Sequence, residues 1–294
     1  MRDFLGKYFN WIIFGAVIFL VYIFVSVSNN ASANPVTGSD TSVGVKIYFL
    51  DVGEGDAALI SLPDNIQVLI DGGRDSRVLD RLSEVMPKFD KKIEYVVASH
   101  PDADHIGGLV DVLNAYSVGE FIESKATSES KTYQKLENEI SDKKIPKVEV
   151  ERFDRLHFSP EAMAIVLWPE NDMIEKLSSN DSSMVLNFDY KGSKVIFTGD
   201  VETKAQNEIL KNFGVDDLKA QVLKVSHHGA KTGLNEQFLD AVRPDLAVIS
   251  VGENSYGHPT QAVLDALGVR GIKTLRTDER GTIKLGWDNG WKVR

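Results

Sequence analysis

Apolar residues recur along this chain in short runs rich in Val, Ile, Leu and Phe, each ended by a polar cluster. Residues 45–50 (VKIYFL), 57–62 and 67–70 read as β-strands, with Pro63-Asp64-Asn65 as the turn before the third. Residues 92–99 (KIEYVVAS) form a further strand that runs into His100. Strand patterns return at 147–153, 164–168, 184–190, 194–197, 218–225, 246–251, 274–275 and 282–287. Helices are predicted at 78–86, 108–115, 203–213, 235–242 and 260–267, and 131–144 reads as a charged helix or loop. The start is strand-rich, the remainder mixes α and β, and the polar clusters follow strands. Layered α/β folds place ligand sites in this way, outside the carboxyl ends of their strands.

The N-terminus has a different pattern. Arg2 and Lys7 precede an uncharged run over residues 9–27, and residues 11–27 would span about 26 Å as a helix. Ala31-Ser32-Ala33 follows as a small-residue cleavage signal. Residues 1–28 therefore read as a signal anchor or a cleaved signal peptide, and both readings place the remainder outside the membrane. Residues 29–43 are small and polar and read as a flexible linker, with a folded domain over 44–294. The expected location is the cell membrane, as a single-pass protein held through residues 9–27, or secretion.

Composition narrows the chemistry. The 294 residues include 43% hydrophobic and 26% charged positions, enough to build a core, and no Cys. Disulfides, iron–sulfur clusters and thiolate zinc sites are excluded, so any metal must be held by His and carboxylates. A net charge of −10 argues against coating nucleic acid by bulk electrostatics. It leaves room for an enzyme that cuts nucleic acid at a metal centre.

Five of the six histidines fall in polar clusters. The first is Ser99-His100-Pro101-Asp102-Ala103-Asp104-His105-Ile106-Gly107-Gly108, with four metal-competent side chains in six residues directly after a strand. Its paired glycines allow the following helix to approach closely. Phe197-Thr198-Gly199-Asp200 places a carboxylate at a strand end, and Val225-Ser226-His227-His228-Gly229 follows another strand. Adjacent histidines point differently, so one can bind metal while the other meets substrate. Ser255-Tyr256-Gly257-His258-Pro259 is a loop histidine held by Gly and Pro; the sixth, His157, reads as structural. Lys91-Lys92, Lys131, Lys143-Lys144 and Lys147 are the notable basic clusters and read as a solvated face, and Lys224 reads as facing a core wall.

With Phe49-Leu50-Asp51-Val52-Gly53-Glu54-Gly55-Asp56-Ala57, Leu69-Ile70-Asp71-Gly72-Gly73, Asn180-Asp181-Ser182-Ser183 and Arg276-Thr277-Asp278, these motifs resemble the metallo-β-lactamase superfamily. The likeness is strongest to the hydrolase domain of ComEC-type competence proteins and runs from about residue 45 to 290. The usual His-x-His-x-Asp-His motif is here His100-x-Asp102-x-Asp104-His105. The resemblance implies a mixed α/β (α+β) fold, the four-layer αβ/βα sandwich, preceded by one N-terminal hydrophobic helix. It implies two divalent metal ions. Asp104, His105 and His227 would hold one, His100 and Asp102 the other, and Asp200 would bridge them. Asp181 falls nearest the family's third histidine of the first site. Two imidazoles have thus become oxygen ligands, which favours Mn²⁺ or Mg²⁺ over the zinc of an all-His site, although Zn²⁺ remains in the expected set. Asp104, His228 and His258 are the expected catalytic residues, the histidines contacting the phosphate or protonating the leaving oxygen. Asp71 is expected to support the site from behind, and Asp56, in preference to Asp51, to orient a loop near it.

The function these residues imply is an exported or tethered metal-dependent phosphodiesterase, a nuclease acting on extracellular DNA. ComEC-type proteins also carry a polytopic channel. This chain has one hydrophobic segment, so a separate channel protein is the further partner the resemblance raises. The alternatives are a hydrolase of a small phosphodiester or phosphorylcholine ester, and a tethered, non-catalytic binding module.

Overall fold

The computed structural model describes residues 44–294; the anchor or signal over 1–28 and the linker over 29–43 lie outside the described residues. Two sheets carry the fold. The first runs β15 (Trp291–Val293), β14 (Ile283–Trp287), β1 (Lys46–Phe49), β2 (Ala58–Ser61), β3 (Gln67–Ile70), β4 (Lys92–Val97), β5 (Ser117–Glu123) and β6 (Lys147–Glu149). The second runs β13 (Lys273–Arg276), β12 (Leu246–Ile249), β11 (Val222–Lys224), β10 (Ser193–Phe197), β9 (Val185–Tyr190), β8 (Ala162–Trp168) and β7 (Arg155–Ser159).

Alternation along each strand divides its side chains between two interiors. Ile47, Phe49, Ile60, Val68 and Val97 face Val166, Leu186, Phe188, Val195, Phe197 and Val248 between the sheets. Phe49 and Phe197 stack across that space with ring centroids 5.8 Å apart. On the outer face of the first sheet, Tyr48, Leu59, Leu69, Ile93 and Val96 meet the helices Arg77–Val85, Ala103–Ala115 and Lys131–Asp142. On the second, Ile196, Leu223, Ala247 and Ile249 meet the helices Thr203–Asn212, Glu236–Val242 and Gln261–Val269. Strands buried on both faces read as continuous apolar runs, as these do. The result is the expected αβ/βα sandwich. Among the described residues no helix is long and apolar enough to cross a membrane.

Several local expectations shift. The helix expected from Gly108 begins at Ala103, because the Asp102 carbonyl accepts the N–H groups of His105 and Ile106 at 3.0 Å. Asp104 and His105 therefore sit in its first turn. Its glycines are required by contact: a Cβ on Gly108 would lie 2.1 Å from the Gly72 carbonyl oxygen. Residues 218–225 open as a short helix, Val215–Leu218, before β11. Strands β5 and β7 were not legible. β5 contains a glycine in close contact with β4, a Cβ on Gly119 lying 2.6 Å from Glu94 O. β7 is an edge strand, and it carries the exposed His157.

Candidate metal centre

β3, β4 and β5 run parallel in one sheet, and β10, β11 and β12 run parallel in the other. The segments leaving β3, β4, β10, β11 and β12 meet at one rim. The Met184 N–H donates to Ser99 O across the two sheets at 2.7 Å. Three non-glycine residues here hold left-handed backbone, Asp71 (φ 58°), His227 (φ 50°) and His228 (φ 51°), alongside Gly199 (φ 49°). Strain of this kind persists where the surroundings over-determine it, and it gathers at functional sites.

The centre is built from three buried imidazoles around Asp200. His105 is fully buried; its Nδ1 lies 2.9 Å from Asp71 Oδ2 and its Nε2 3.3 Å from Asp200 Oδ1. Asp71 is held in turn by Ser99, whose N–H and hydroxyl each donate to it at 2.7 Å. His228 Nδ1 lies 2.9 Å from Ser250 O, and a carbonyl only accepts, so Nδ1 carries the proton and Nε2 is left free. That Nε2 is 3.5 Å from Asp200 Oδ2 and 3.9 Å from Asp104 Oδ2. His100 packs its ring 4.2 Å from that of His105, with Nδ1 3.0 Å from Ser99 Oγ.

The Nε2 atoms of His100, His105 and His228 and Oδ1 of Asp200 are buried and have no hydrogen-bond partner. Buried polar atoms are normally satisfied. Buried nitrogen and oxygen atoms that converge without partners fit a cation. Among the described residues, ligand atoms of His100, His105 and Asp200 lie within 4.8 Å of one another, as do those of Asp104, His105 and His228, and those of Asp56, Asp200 and His228. Imidazole nitrogen and carboxylate oxygen form a ligand set for a divalent cation such as Zn²⁺ or Mn²⁺. The supporting partners on each Nδ1 are the kind that orient metal-binding histidines.

The electrostatics agree. Burial would push the Asp200 carboxyl up, but the facing His105 and His228, with Lys224, hold it well below the usual carboxylate range. Burial would lower His105, yet Asp200 and Asp71 raise it well above an ordinary histidine. The pocket thus favours positive charge despite its burial.

The expected residues divide. Asp104, His100, His105, Asp200 and His228 are brought together. His228, expected to meet substrate, turns inward, while His227, expected as a ligand, stands at the rim. The consecutive left-handed residues turn the two rings apart by 75°. His227 Nδ1 is 3.4 Å from Glu202 Oε1, and its Nε2 is 4.0 Å from Asp200 Oδ2. Asp102 is partly exposed; it accepts from Ser179 Oγ at 2.5 Å and lies 3.5 Å from His100 Nε2. Asp181 is not brought to the cluster: its Oδ1 accepts the Glu202 N–H at 2.9 Å, capping a loop. Its neighbour Asn180 faces His227 instead, at 3.4 Å. His258 lies at the mouth, its ring 5.5 Å from that of His227. A cavity of about 200 Å³ opens there, lined by Glu54, Asp102, Asp104, Asn180, Asp200, His227, His228, Tyr256 and His258.

Lys224 is the residue that sequence reasoning set aside. Its ammonium group is buried against the centre, paired with Asp56, donating to Gly199 O at 3.0 Å and 3.8 Å from Asp200 Oδ1. The available signal was a lone charge inside an apolar strand, Val222-Leu223-Lys224-Val225, directly before the histidine pair. Asp56, expected to orient a loop near the site, is the partner that makes this burial tolerable.

The family model described as the metallo-beta-lactamase superfamily matches residues 50–253. ComE operon protein 3 of Bacillus subtilis (strain 168) is 30% identical over 93% of this chain and 35% of its own length. Competence protein ComA of Neisseria gonorrhoeae is 28% identical over 88% of this chain and 34% of its own length. The chain thus spans about a third of the length of these curated relatives. Among solved structures, Igni18, a metallo hydrolase from Ignicoccus hospitalis, covers 83% of this chain and 99% of its own at 14% identity, with a TM-score of 0.55. CmlA, a diiron β-hydroxylase from Streptomyces venezuelae, matches with a TM-score of 0.54 at 13% identity, covering 85% of this chain and 55% of its own. At those identities the two structures speak for the fold. With a family match over most of the folded region, the same fold and a buried His–Asp centre at the rim of its two sheets, the chain belongs to the metallo-β-lactamase superfamily, whose members are typically metal-dependent hydrolases.

Proposed function

We propose that this metal-dependent hydrolase is a phosphodiesterase, a nuclease acting on DNA outside the membrane as in competence-type uptake. The observation that carries the reading is the set of orphaned imidazole nitrogens around Asp200, opening through Asp104 into a cavity at the molecular rim. His100, His105 and Asp200 would hold one divalent cation; Asp104 and His228, beside His105, supply donors for a second. Bound cations would supply Lewis-acid activation of water and of the phosphoryl oxygens. His227 and His258 stand where the phosphate would enter, in reach of its oxygens or of the leaving group. The carboxylate share of the donors favours Mn²⁺ or Mg²⁺ over an all-nitrogen zinc site. The names of the relatives supply the competence setting, and the apolar run at residues 9–27 supports export or tethering beside a separate channel protein.

The cavity is smaller than a usual ligand pocket of roughly 300–1,000 Å³, and that favours a small phosphodiester or phosphorylcholine ester as the second reading. The test uses the full chain stripped of metal and restored with Mn²⁺, Mg²⁺ or Zn²⁺, on linear plasmid DNA and on bis-p-nitrophenyl phosphate, beside Asp104→Ala. Metal-dependent DNA degradation lost in the variant supports the nuclease. Turnover of the small ester alone selects the second reading, and no turnover by folded, metal-loaded protein removes both.

A further inference from the structure

A row of rings leads from the buried centre to solvent. His228 and His227 have centroids 6.2 Å apart, His227 and His258 5.5 Å, and His258 and Tyr256 5.8 Å, the last pair tilted by only 27°. The outermost ring, Tyr256, is 67% exposed, and it lines the same cavity as Asp104 and Asp200. Leaving a large aromatic face to water costs hydrophobic free energy unless something covers it.

The loop that presents this ring is held in place by one side chain. Asn254 Nδ2 donates to Gly252 O and His258 O, both at 2.9 Å, and Asn254 Oδ1 accepts the N–H groups of Tyr256 (3.1 Å) and His258 (3.0 Å). All its hydrogen-bonding capacity goes to positioning the loop that carries Tyr256. A ring fixed in this way loses little freedom on binding.

Charge shows what the ring must do. Among the described residues lining the cavity none is Lys or Arg, while Glu54, Asp102, Asp104 and Asp200 are acidic. With a net charge of −10, and with Arg74 held 3.6 Å from Asp104, basic side chains leave little affinity for a polyanion. Beside the bound cations, a nucleic-acid site can draw affinity from stacking of bases on aromatic faces, which tolerates any sequence because every base has a π-face.

We propose that Tyr256, set by Asn254 at the end of the ring row, is a stacking platform for an unpaired nucleobase adjoining the phosphodiester at the centre. The proposal rests on the phosphodiesterase reading above and narrows its substrate to single-stranded nucleic acid. A base inside a duplex is already stacked and must be unpaired to reach the ring.

The experiment compares a single-stranded oligodeoxythymidine with a strand of equal length carrying abasic residues, using the full chain loaded with Mn²⁺. The wild type is expected to show a KM on the order of tenfold lower for the base-bearing strand. Tyr256→Ala is expected to bring that ratio to about one, and Tyr256→Phe to restore it. A ratio unchanged in Tyr256→Ala, or already near one in the wild type, overturns the platform and leaves the phosphodiesterase standing. If the wild type cleaves neither strand nor bis-p-nitrophenyl phosphate, the phosphodiesterase reading falls. Fluorescence anisotropy of the labelled thymidine strand then decides the platform: a tenfold weaker binding by Tyr256→Ala retains it, and equal or absent binding overturns it.

Discussion

Asp71→Asn is the substitution that most directly tests how the centre is aimed. Asp71 Oδ1 accepts the Ser99 N–H at 2.7 Å, and Oδ2 faces both Ser99 Oγ at 2.7 Å and His105 Nδ1 at 2.9 Å. A backbone N–H only donates, so the asparagine must keep its oxygen toward Ser99 N and turn its NH₂ toward His105. That amide then donates to Nδ1, and the imidazole proton moves to Nε2, the atom 3.3 Å from Asp200 Oδ1. The lone pair available to a cation is removed with almost no change in volume. Loss of such a supporting partner costs about 10- to 100-fold in metal affinity, or about 1.4–2.7 kcal/mol. The assay is calorimetric titration of stripped protein with Mn²⁺ or Zn²⁺, with Asp181→Asn as a control in which affinity should move by less than about threefold. The thermal melt without metal reports any separate loss of folding. Metal affinity within twofold of wild type in a folded Asp71→Asn would refute the reasoning, because His105 would then be aimed by something other than Asp71.

Other consequences can be read by denaturation. Lys224→Met leaves Asp56 as a buried, uncompensated charge and should cost about 3–5 kcal/mol in urea unfolding; adding Asp56→Asn should recover most of it, and simple additivity would show the two are not energetically paired. Burial pushes the Glu123 carboxyl up to about 7, against the pull of Lys147. Its folded value lies above the ordinary 4.5, so the native state keeps a proton the unfolded chain releases, and stability should fall as pH rises from about 4.5 through about 7, by at most about 3 kcal/mol. Glu123→Gln should flatten that stretch of the stability profile, and an unchanged slope would assign it elsewhere. Gly108→Ala drives a Cβ to 2.1 Å from Gly72 O and 2.5 Å from Asp75 O, so it should lose about 1–3 kcal/mol and weaken metal binding by displacing Asp104 and His105. Gly268→Ala, with nothing within 4 Å of its Cβ, should instead be neutral or gain up to about 1 kcal/mol in the same melts.

The placement of the chemistry was legible in the chain because each motif follows an apolar run, and strands buried on both faces cannot hide in such a pattern. His100, Asp104, His105 and Asp200 could be named from their positions after strands, and the paired glycines announced the close approach of the helix that carries two of them. Composition alone required a site of nitrogen and oxygen donors. Only the tertiary structure decided which donors converge. Whether His227 or His228 turns inward depends on two left-handed residues and on the Ser250 carbonyl that anchors one ring, 22 residues away in sequence. Asp181 lies beside Asn180 in the chain, yet its carboxylate is drawn to the Glu202 N–H and leaves the cluster. Lys224 and Asp56 meet because β11 of one sheet and the segment after β1 of the other share a rim. A local pattern records the period of a strand and the chemistry at its end. It holds no term for the packing of one sheet on another, and that packing selects which of several competent side chains make the centre.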